Sequence, residues 1–350
     1  MHRRIAAVVL VVATAAIALA GCGSKSSSSS ASTTSGSTSS GSGSASASTS
    51  TAASTSSSGS GNKSLALIQG TKADNFYVTM ACGAKAEAAK LGYSINVQGP
   101  ADFAAPEQIP IVNAITAQKP AAVLIAPTDT QALIAPMQQM KTAGIKVVQV
   151  DTTVSDSSIA VASISSNNEQ GGALAADYLA KVMGGHGSVI VMNEQPGVST
   201  TEARIAGFTK EIKKYPGIKQ LSTQYTGDNP AKAAAAISAV YAAHPDLGGV
   251  FATNVLVAQG VDTGLKTAHA TKVKIVGYDA DPTQIADLKA GIVQALIAQE
   301  PYQEGIDAVS TAVAALEGKA VARKQTTGVV TVTRSNLSSE QGALYKSTCS

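Results

Sequence analysis

From residue 65 onward, short apolar runs alternate with stretches in which apolar residues recur at helical spacing. The runs 65–68, 95–97, 121–125 and 147–150 are strand-like. Between them, 76–91 reads as a helix closing at Gly92, a second helix lies around 106–117, and a third around 131–143 stops at Gly144. The Val/Ile runs do not alternate with polar residues, which suits strands covered on both faces, hence a parallel sheet with helices on either side. The pattern then restarts. Helix 173–183, strand 189–192, helix 201–215, strand 221–225, a helix after Asn229-Pro230, strand 250–252, helix 256–267, strand 273–277 and a helix after Asp281-Pro282 follow in order. In both of these pairs the proline fits the first helical position behind an N-cap. The chain therefore predicts two successive doubly wound α/β units, with a seam near 165–168. What remains, a strand at 294–298, a helix at 302–316 and a strand at 329–333, is too small for a third domain. It must complete the other two, so the chain crosses between lobes several times.

The first sixty residues follow another logic. Met1-His2-Arg3-Arg4 is a short basic region, and Ile5 to Ala20 is an apolar run too short for a comfortable membrane span. It ends in Leu19-Ala20-Gly21-Cys22, which resembles the bacterial lipobox. The expectation is a signal peptide over 1–21, removed so that a lipidated Cys22 becomes the N-terminus and anchors the protein to the outer side of the cell membrane. The alternative is an ordinary signal peptide with a chance cysteine, but Gly23-Ser24-Lys25 offers no folded segment for that cysteine to join. From Ser24 to Gly61 the chain is nearly all Ser, Thr, Gly and Ala, and cannot bury enough surface to offset the entropy of ordering. The stretch 22–63 thus reads as a disordered tether, spanning roughly 35 Å root-mean-square.

Composition narrows the function. The formal charge is +3, and without Arg3 and Arg4 the balance is 24 basic residues to 23 acidic, which gives no reason to expect nucleic acid as a partner. The absence of Trp and the abundance of Ala suggest tightly packed helices. Beyond Cys22 there are two cysteines, Cys82 and Cys349; outside the cytoplasm they can form a disulfide that keeps the tail from fraying, the other reading being two isolated thiols. His2, His186, His244 and His269 are scattered without ligand spacing, so no metal site is expected, and no phosphate-cradling loop implies a cofactor.

In open parallel sheets ligands bind beyond the carboxyl ends of the strands. Residues in that position are Asp74, Phe76 and Tyr77, then Asp151 and Thr152, then Ser166, Asn167 and Asn168 at the seam. In the second unit they are Arg204 at a helix start, Asn254, Asp279 and Gln299. Carboxylates, amides and a guanidinium pair with vicinal hydroxyls, and an aromatic face covers the apolar side of a sugar ring. Each residue also has a plainer reading. Asp74 can cap the following helix, one of Phe76 and Tyr77 can join the core, Asn254 can end its strand in a local turn, and Arg204 can be a surface residue.

These residues carry a resemblance. The stretches Asp74-Asn75-Phe76-Tyr77, Lys90-Leu91-Gly92-Tyr93, Ile125-Ala126-Pro127-Thr128-Asp129, Val150-Asp151 and Asn168-Glu169-Gln170-Gly171-Gly172 occur in this order. Arg204-Ile205-Ala206-Gly207-Phe208, Ala243-His244-Pro245-Asp246, Phe251-Ala252-Thr253-Asn254, Val276-Gly277-Tyr278-Asp279 and Ile297-Ala298-Gln299 continue it. Together they make the domain similar to the sugar-type periplasmic binding proteins of ABC importers, the ribose binders in particular. The resemblance implies a type I periplasmic binding protein fold, two lobes joined by three hinge strands. The expected lobes are 64–166 plus 300–327 and 167–299 plus 328–336, with a tail over 337–350. It also implies a small sugar or polyol held by Asp74, Phe76, Tyr77, Asp151, Asn168, Arg204, Asn254, Asp279 and Gln299, a membrane permease as partner, and a monomer without enzymatic activity. Ala126 stands where ribose binders have Asn, Thr152 where they have Arg, and Val255 where an acid usually follows the Asn. Near 226–228 there is no aromatic to supply the opposite wall of a sugar sandwich. The competing functions are a receptor-coupled sensor of a sugar-like signal, a carbohydrate-active enzyme built on Asp151 and Asp279, and a sugar-responsive repressor, which would need a DNA-binding headpiece.

Overall fold

The computed structural model describes residues 62–349; the predicted signal segment, the Cys22 lipobox and all but the end of the predicted tether lie outside the described residues. Strands β1 Ser64–Ile68, β2 Ser94–Gln98, β3 Ala122–Ile125, β4 Lys146–Val150 and β5 Ala162–Ser166 form one parallel sheet in the order β2-β1-β3-β4-β5. Helices α1 Asn75–Lys90, α2 Ala105–Gln118 and α3 Ile134–Thr142 connect them. The period of two is visible in β1. Leu65 and Leu67 join Met80 and Ala84 of α1 in one apolar cluster, while Ala66 and Ile68 join Val112 and Ile115 of α2 in another. Both faces are buried, and a continuous apolar run is the consequence.

The second unit repeats the plan. It runs through α4 Asn168–Val182, β6 Gly187–Asn193, α5 Ser199–Ile212, β7 Ile218–Gln220, β8 Gln224–Tyr225, α6 Pro230–Ala243 and β9 Leu247–Ala252. It continues with α7 Val255–Thr267, β10 Lys274–Tyr278, α8 Pro282–Ala290 and β11 Ala295–Gln299. The sheet order is β7-β6-β9-β10-β11. Asn229 and Asp281 cap α6 and α8 through their side chains, each with proline in the first turn, and Gln284 closes a capping box on Asp281. The strand expected at 221–225 is interrupted. β7 and β8 both pair with β6, but the partner offset slips by one residue between Val189–Gln220 and Met192–Gln224; Leu221 N still donates to Val189 O, and 222–223 leave the ladder as an irregularity.

Three hinge passages join the lobes, apart from the tail beyond the last strand. The chain first crosses between β5 and α4. It returns after β11, when α9 Pro301–Leu316 packs against α1 of the first lobe and β12 Lys324–Thr327 extends the first sheet beside β5. It crosses again at once, and β13 Val329–Val332 pairs with β11 as the one antiparallel strand among those described. Glu304 of α9 lies beneath the first and third passages, its Oε1 accepting from Ser166 Oγ at 2.6 Å and Thr327 Oγ1 at 3.1 Å. The architecture is thus the expected pair of doubly wound lobes on a three-strand hinge. Cys82 on α1 is joined to Cys349 by a disulfide.

Candidate functional site

Asp151 and Asp279 follow β4 and β10, the equivalent strands of the two sheets. Both have left-handed backbones, with φ of 56° and 83°. In each the backbone N–H donates to the neighbouring strand, to Ile164 O and Ile297 O respectively, both at 2.8 Å. Non-glycine residues in this region are uncommon, and they persist where the surroundings impose them. The bend aims each carboxylate into a cleft of about 500 Å³ between the lobes.

Helix starts supply much of the rest. Asp74 caps α1, its Oδ1 accepting from Phe76 N at 2.8 Å, and this first turn delivers Asp74, Asn75, Phe76 and Tyr77 to the cleft. Tyr77 Oη donates to Asp151 Oδ2 at 2.6 Å, while the Phe76 ring meets Tyr77 edge-on. On the opposite wall Asn254 caps α7, accepting from Val257 N, and its Nδ2 donates to Glu194 Oε2 at 3.0 Å and Asp228 Oδ1 at 2.8 Å. The capping and lining roles of Asp74 and Asn254 therefore coexist. Gln299 ends β11 and donates through Nε2 to Asp279 Oδ1 at 2.6 Å; its buried Oε1 has no hydrogen-bond partner among the described residues.

Among the described residues, Arg204 is the sole guanidinium lining the cleft. Its helix α5 lies so close to α4 that a Cβ at Gly172 would run into the Arg204 carbonyl, and one at Gly207 into the Glu169 carbonyl. That approach lets Arg204 Nε donate to Asn168 Oδ1 at 2.7 Å and Nη1 to Thr253 O at 2.7 Å, with the guanidinium 3.7 Å from the centre of the Tyr278 ring. Eight of the nine expected residues line the cleft, and Asn168 does not. The amide is spent instead on Arg204, on Tyr278 Oη at 3.2 Å and on Ser166 O at 3.1 Å. It stands behind the guanidinium because α4 begins at the hinge, one layer beneath the cavity wall.

Several lining residues carry no mark in the resemblance. Phe103 in the β2–α2 loop adds an aromatic on the first wall, Glu194 directly follows β6, and Asp228 follows β8. The strand-end rule, applied to β2 and β6, reaches Phe103 and Glu194 from sequence alone. Ala126 is fully buried away from the cavity, and Thr152 Oγ1 donates to Pro127 O at 2.7 Å. Val255 lines the cavity as an apolar residue.

The cleft is rich in carboxylates, and their burial sets the electrostatics. Burial and the charges of Asp279, Asp228 and Asp281 push Asp74 up to about 7. Burial lifts Asp151 to about 6 against the opposing pull of the Tyr77 hydrogen bond and the Arg204 charge. Glu194 rises to about 8 through burial and the nearby Asp228. Burial also raises Asp228 and Asp279, the latter against Arg204, Gln299 and Tyr345. Burial works against the charge of Arg204, yet Tyr278, Asp279 and Asp151 hold its pKa above the ordinary value. Such a site offers acceptors from both lobes around one cation, which suits a ligand dense in hydroxyl donors.

A two-lobed α/β clamp with its polar groups at strand ends on both sides of a hinge defines a class of ligand-capturing proteins. The family model described as periplasmic binding protein domain matches residues 65–320, and the chain belongs to that family. The ribose import binding protein RbsB of Escherichia coli K12 is 32% identical over 261 residues, covering 75% of this chain and 87% of that protein. A solute-binding protein from Agrobacterium vitis, solved with α-D-tagatopyranose, superposes with a TM-score of 0.79 at 39% identity, over 81% of this chain and 99% of that one. A carbohydrate transporter solute-binding protein from Agrobacterium radiobacter, in complex with D-arabinose, gives 0.76 at 30% identity, over 82% and 100%. Family membership places the domain outside the cytoplasm.

Proposed function

We propose that this protein captures a small sugar or polyol in the inter-lobe cleft and delivers it to the membrane permease of an ABC importer. The observation that carries the reading is the acceptor set presented from both lobes, with Asp151 facing Asp279 and the buried Gln299 Oε1 left without a partner. Sugar hydroxyls supply the missing donors, and Phe76 and Phe103 supply apolar faces for the ring. The relatives bind ribose, tagatopyranose and arabinose by their descriptions, which supports the ligand class. Thr152 in place of an arginine removes one donor from the first wall and argues against ribose itself.

In this reading the lobes 64–166 plus 300–327 and 167–299 plus 328–336 close about the hinge as units, and Asp74, Phe76, Tyr77, Asp151, Arg204, Asn254, Asp279 and Gln299 touch the ligand. Cys22 carries the lipid, and the serine-rich tether lets the domain turn towards the permease. The role is binding without turnover. A thermal-shift panel of pentoses, hexoses, their deoxy forms and polyols tests it. A ligand at a hundredfold excess over its Kd should stabilise the protein by about 2.7 kcal/mol. A panel in which no carbohydrate raises the melting temperature, or in which the sugar is converted, overturns it.

A further inference from the structure

Beyond β13 the chain does not stop at the second lobe. After a short 3-10 turn at Gln341–Ala343 it runs back to the cleft, where Tyr345 N donates to Ala280 O at 3.1 Å. The Tyr345 side chain is buried at 5% exposure. Its Oη donates to Asp279 Oδ1 at 3.0 Å and accepts from Gln299 N at 3.2 Å, and its ring lies edge-on to Phe76 of the first lobe at 5.8 Å. The next residues belong to the first lobe. Lys346 N donates to Thr79 Oγ1 at 2.7 Å, the Lys346 ammonium sits 4.9 Å from the Tyr302 ring centre, and Cys349 is bonded to Cys82.

We propose that this tail is a working part of the binding site: Tyr345 is a positioning residue that aims Asp279 and Gln299, and the Cys82–Cys349 bond holds it in place. Both side-chain hydrogen bonds to the Asp279 carboxylate, from Gln299 Nε2 and Tyr345 Oη, fall on Oδ1, which leaves Oδ2 for a ligand. Without the phenol that carboxylate keeps one anchor and gains rotational freedom. The same hydroxyl pins the backbone of Gln299, whose Oε1 is the unpartnered acceptor of the cleft. One oxygen therefore orients two groups of the second wall. Tyr345 sits in a terminal segment without regular structure, and such ends fray unless tied down. The disulfide four residues further on ties this one to α1, the helix whose first turn carries Asp74, Phe76 and Tyr77.

Two measurements on the full chain test the assignment. Tyr345→Phe keeps the ring and removes only the hydroxyl. Titrated calorimetrically with D-ribose, D-arabinose and D-tagatose, it should bind whichever of these the wild type binds about tenfold more weakly, as expected for one lost hydrogen bond to a charged group. Gln299 N also loses its acceptor, so the ligand-free melting temperature should fall somewhat; calorimetry well below that transition, where the fold is intact, reads an affinity loss that a merely structural tyrosine would not show. Wild-type affinity in Tyr345→Phe overturns the proposal. The second measurement needs no ligand. In the Cys82→Ser/Cys349→Ser variant, hydrogen–deuterium exchange should quicken at 344–349 and also at 278–281 and at Gln299 of the second lobe. Faster exchange confined to the tail and α1 would make the bond a terminal staple and overturn the proposal. If the wild type binds none of the three sugars, the exchange comparison alone decides the tail.

Discussion

Asp151 and Asp279 hold the same position in two copies of one plan, with the same backbone twist and the same hydrogen bond to the next strand. Their surroundings differ. Asp151 is held by a single hydroxyl, Tyr77 Oη, on a wall that also carries Asp74, Phe76, Phe103 and a threonine turned towards backbone. Asp279 is held by Gln299 and Tyr345, beside the Asn254–Glu194–Asp228 network and Arg204. The repeated fold thus fixes where a carboxylate emerges, and the non-repeated neighbours fix how rigidly it is aimed. The second wall is the preorganised one; the first is an aromatic lid with two acids, Asp74 and Asp151, each held by one hydrogen bond. Preorganisation lowers the cost of ordering on binding, so the second wall should dominate affinity.

The largest test of that asymmetry is Arg204→Ala. No carboxylate forms an ion pair with Arg204 among the described residues, so its charge acts on both aspartates at longer range. Truncation leaves the buried Thr253 carbonyl and Asn168 Oδ1 short of a donor and removes the cation over Tyr278. A surface position, the plainer reading of the sequence, would leave the free protein little affected by the truncation. At 4% exposure it should instead cost about 3 kcal/mol of ligand-free stability, in addition to most of the binding. Chemical denaturation of the ligand-free variant checks this, and an unchanged midpoint would make the second wall no more integrated than the first.

Acidity sharpens the comparison next. Glu194 rises from its ordinary 4.5 to about 8, so the folded state keeps a proton that the unfolded state has already released above about pH 4.5. Its contribution to stability is complete at lower pH and is lost as pH rises through about 8. Glu304 beneath the hinge, also raised to about 8 by burial, has the same sign. Asp151, raised from 3.8 to about 6, has that sign over a narrower window. Stability of the wild type should therefore fall between about pH 5 and 8. Glu194→Gln should recover about 2–4 kcal/mol at pH 8 and flatten the slope, and Asp151→Asn should recover less, ending near pH 6. Melting temperatures across this range measure both, and equal recovery would erase the electrostatic difference between Glu194 and Asp151.

The sequence is most legible where the fold repeats. Asp151 and Asp279 leave apolar strands directly, so strand periodicity alone locates them. β5 and β12 carry no apolar run, with serine and threonine at most of their positions, and they escape the pattern that finds β1 or β6. Asn168 sits beside the seam and invites a ligand role, but which side of the guanidinium it occupies depends on how closely α4 and α5 approach. That approach is set by Gly172 and Gly207. Tyr345 is 66 residues from Asp279 in a terminal stretch with no periodicity, and only the pairing of Cys82 with Cys349 hints that the tail returns to α1.

The smallest expected effect concerns how the two walls meet. Apart from the hinge and the tail, hydrogen bonds among the described residues cross between lobes beside the cleft from Asn75 Nδ2 to Asp281 Oδ2 at 2.6 Å and from Thr153 N to Ser199 Oγ at 3.0 Å. Each favours the juxtaposed lobes over separated ones by about 1 kcal/mol or less, the net value of one partly exposed hydrogen bond. Apparent affinity scales with the fraction of protein in the competent state, so losing either bond should weaken binding by up to about fivefold. Asn75 lines the cavity and Ser199 does not, which separates two explanations. If Asn75→Ala and Ser199→Ala weaken a bound sugar to the same small extent, and small-angle scattering shows both ligand-free variants slightly more open, the bonds act on the lobe equilibrium. If only Asn75→Ala loses affinity and neither variant opens, Asn75 is a ligand contact, and the first wall contributes more to recognition than its two singly held acids suggest.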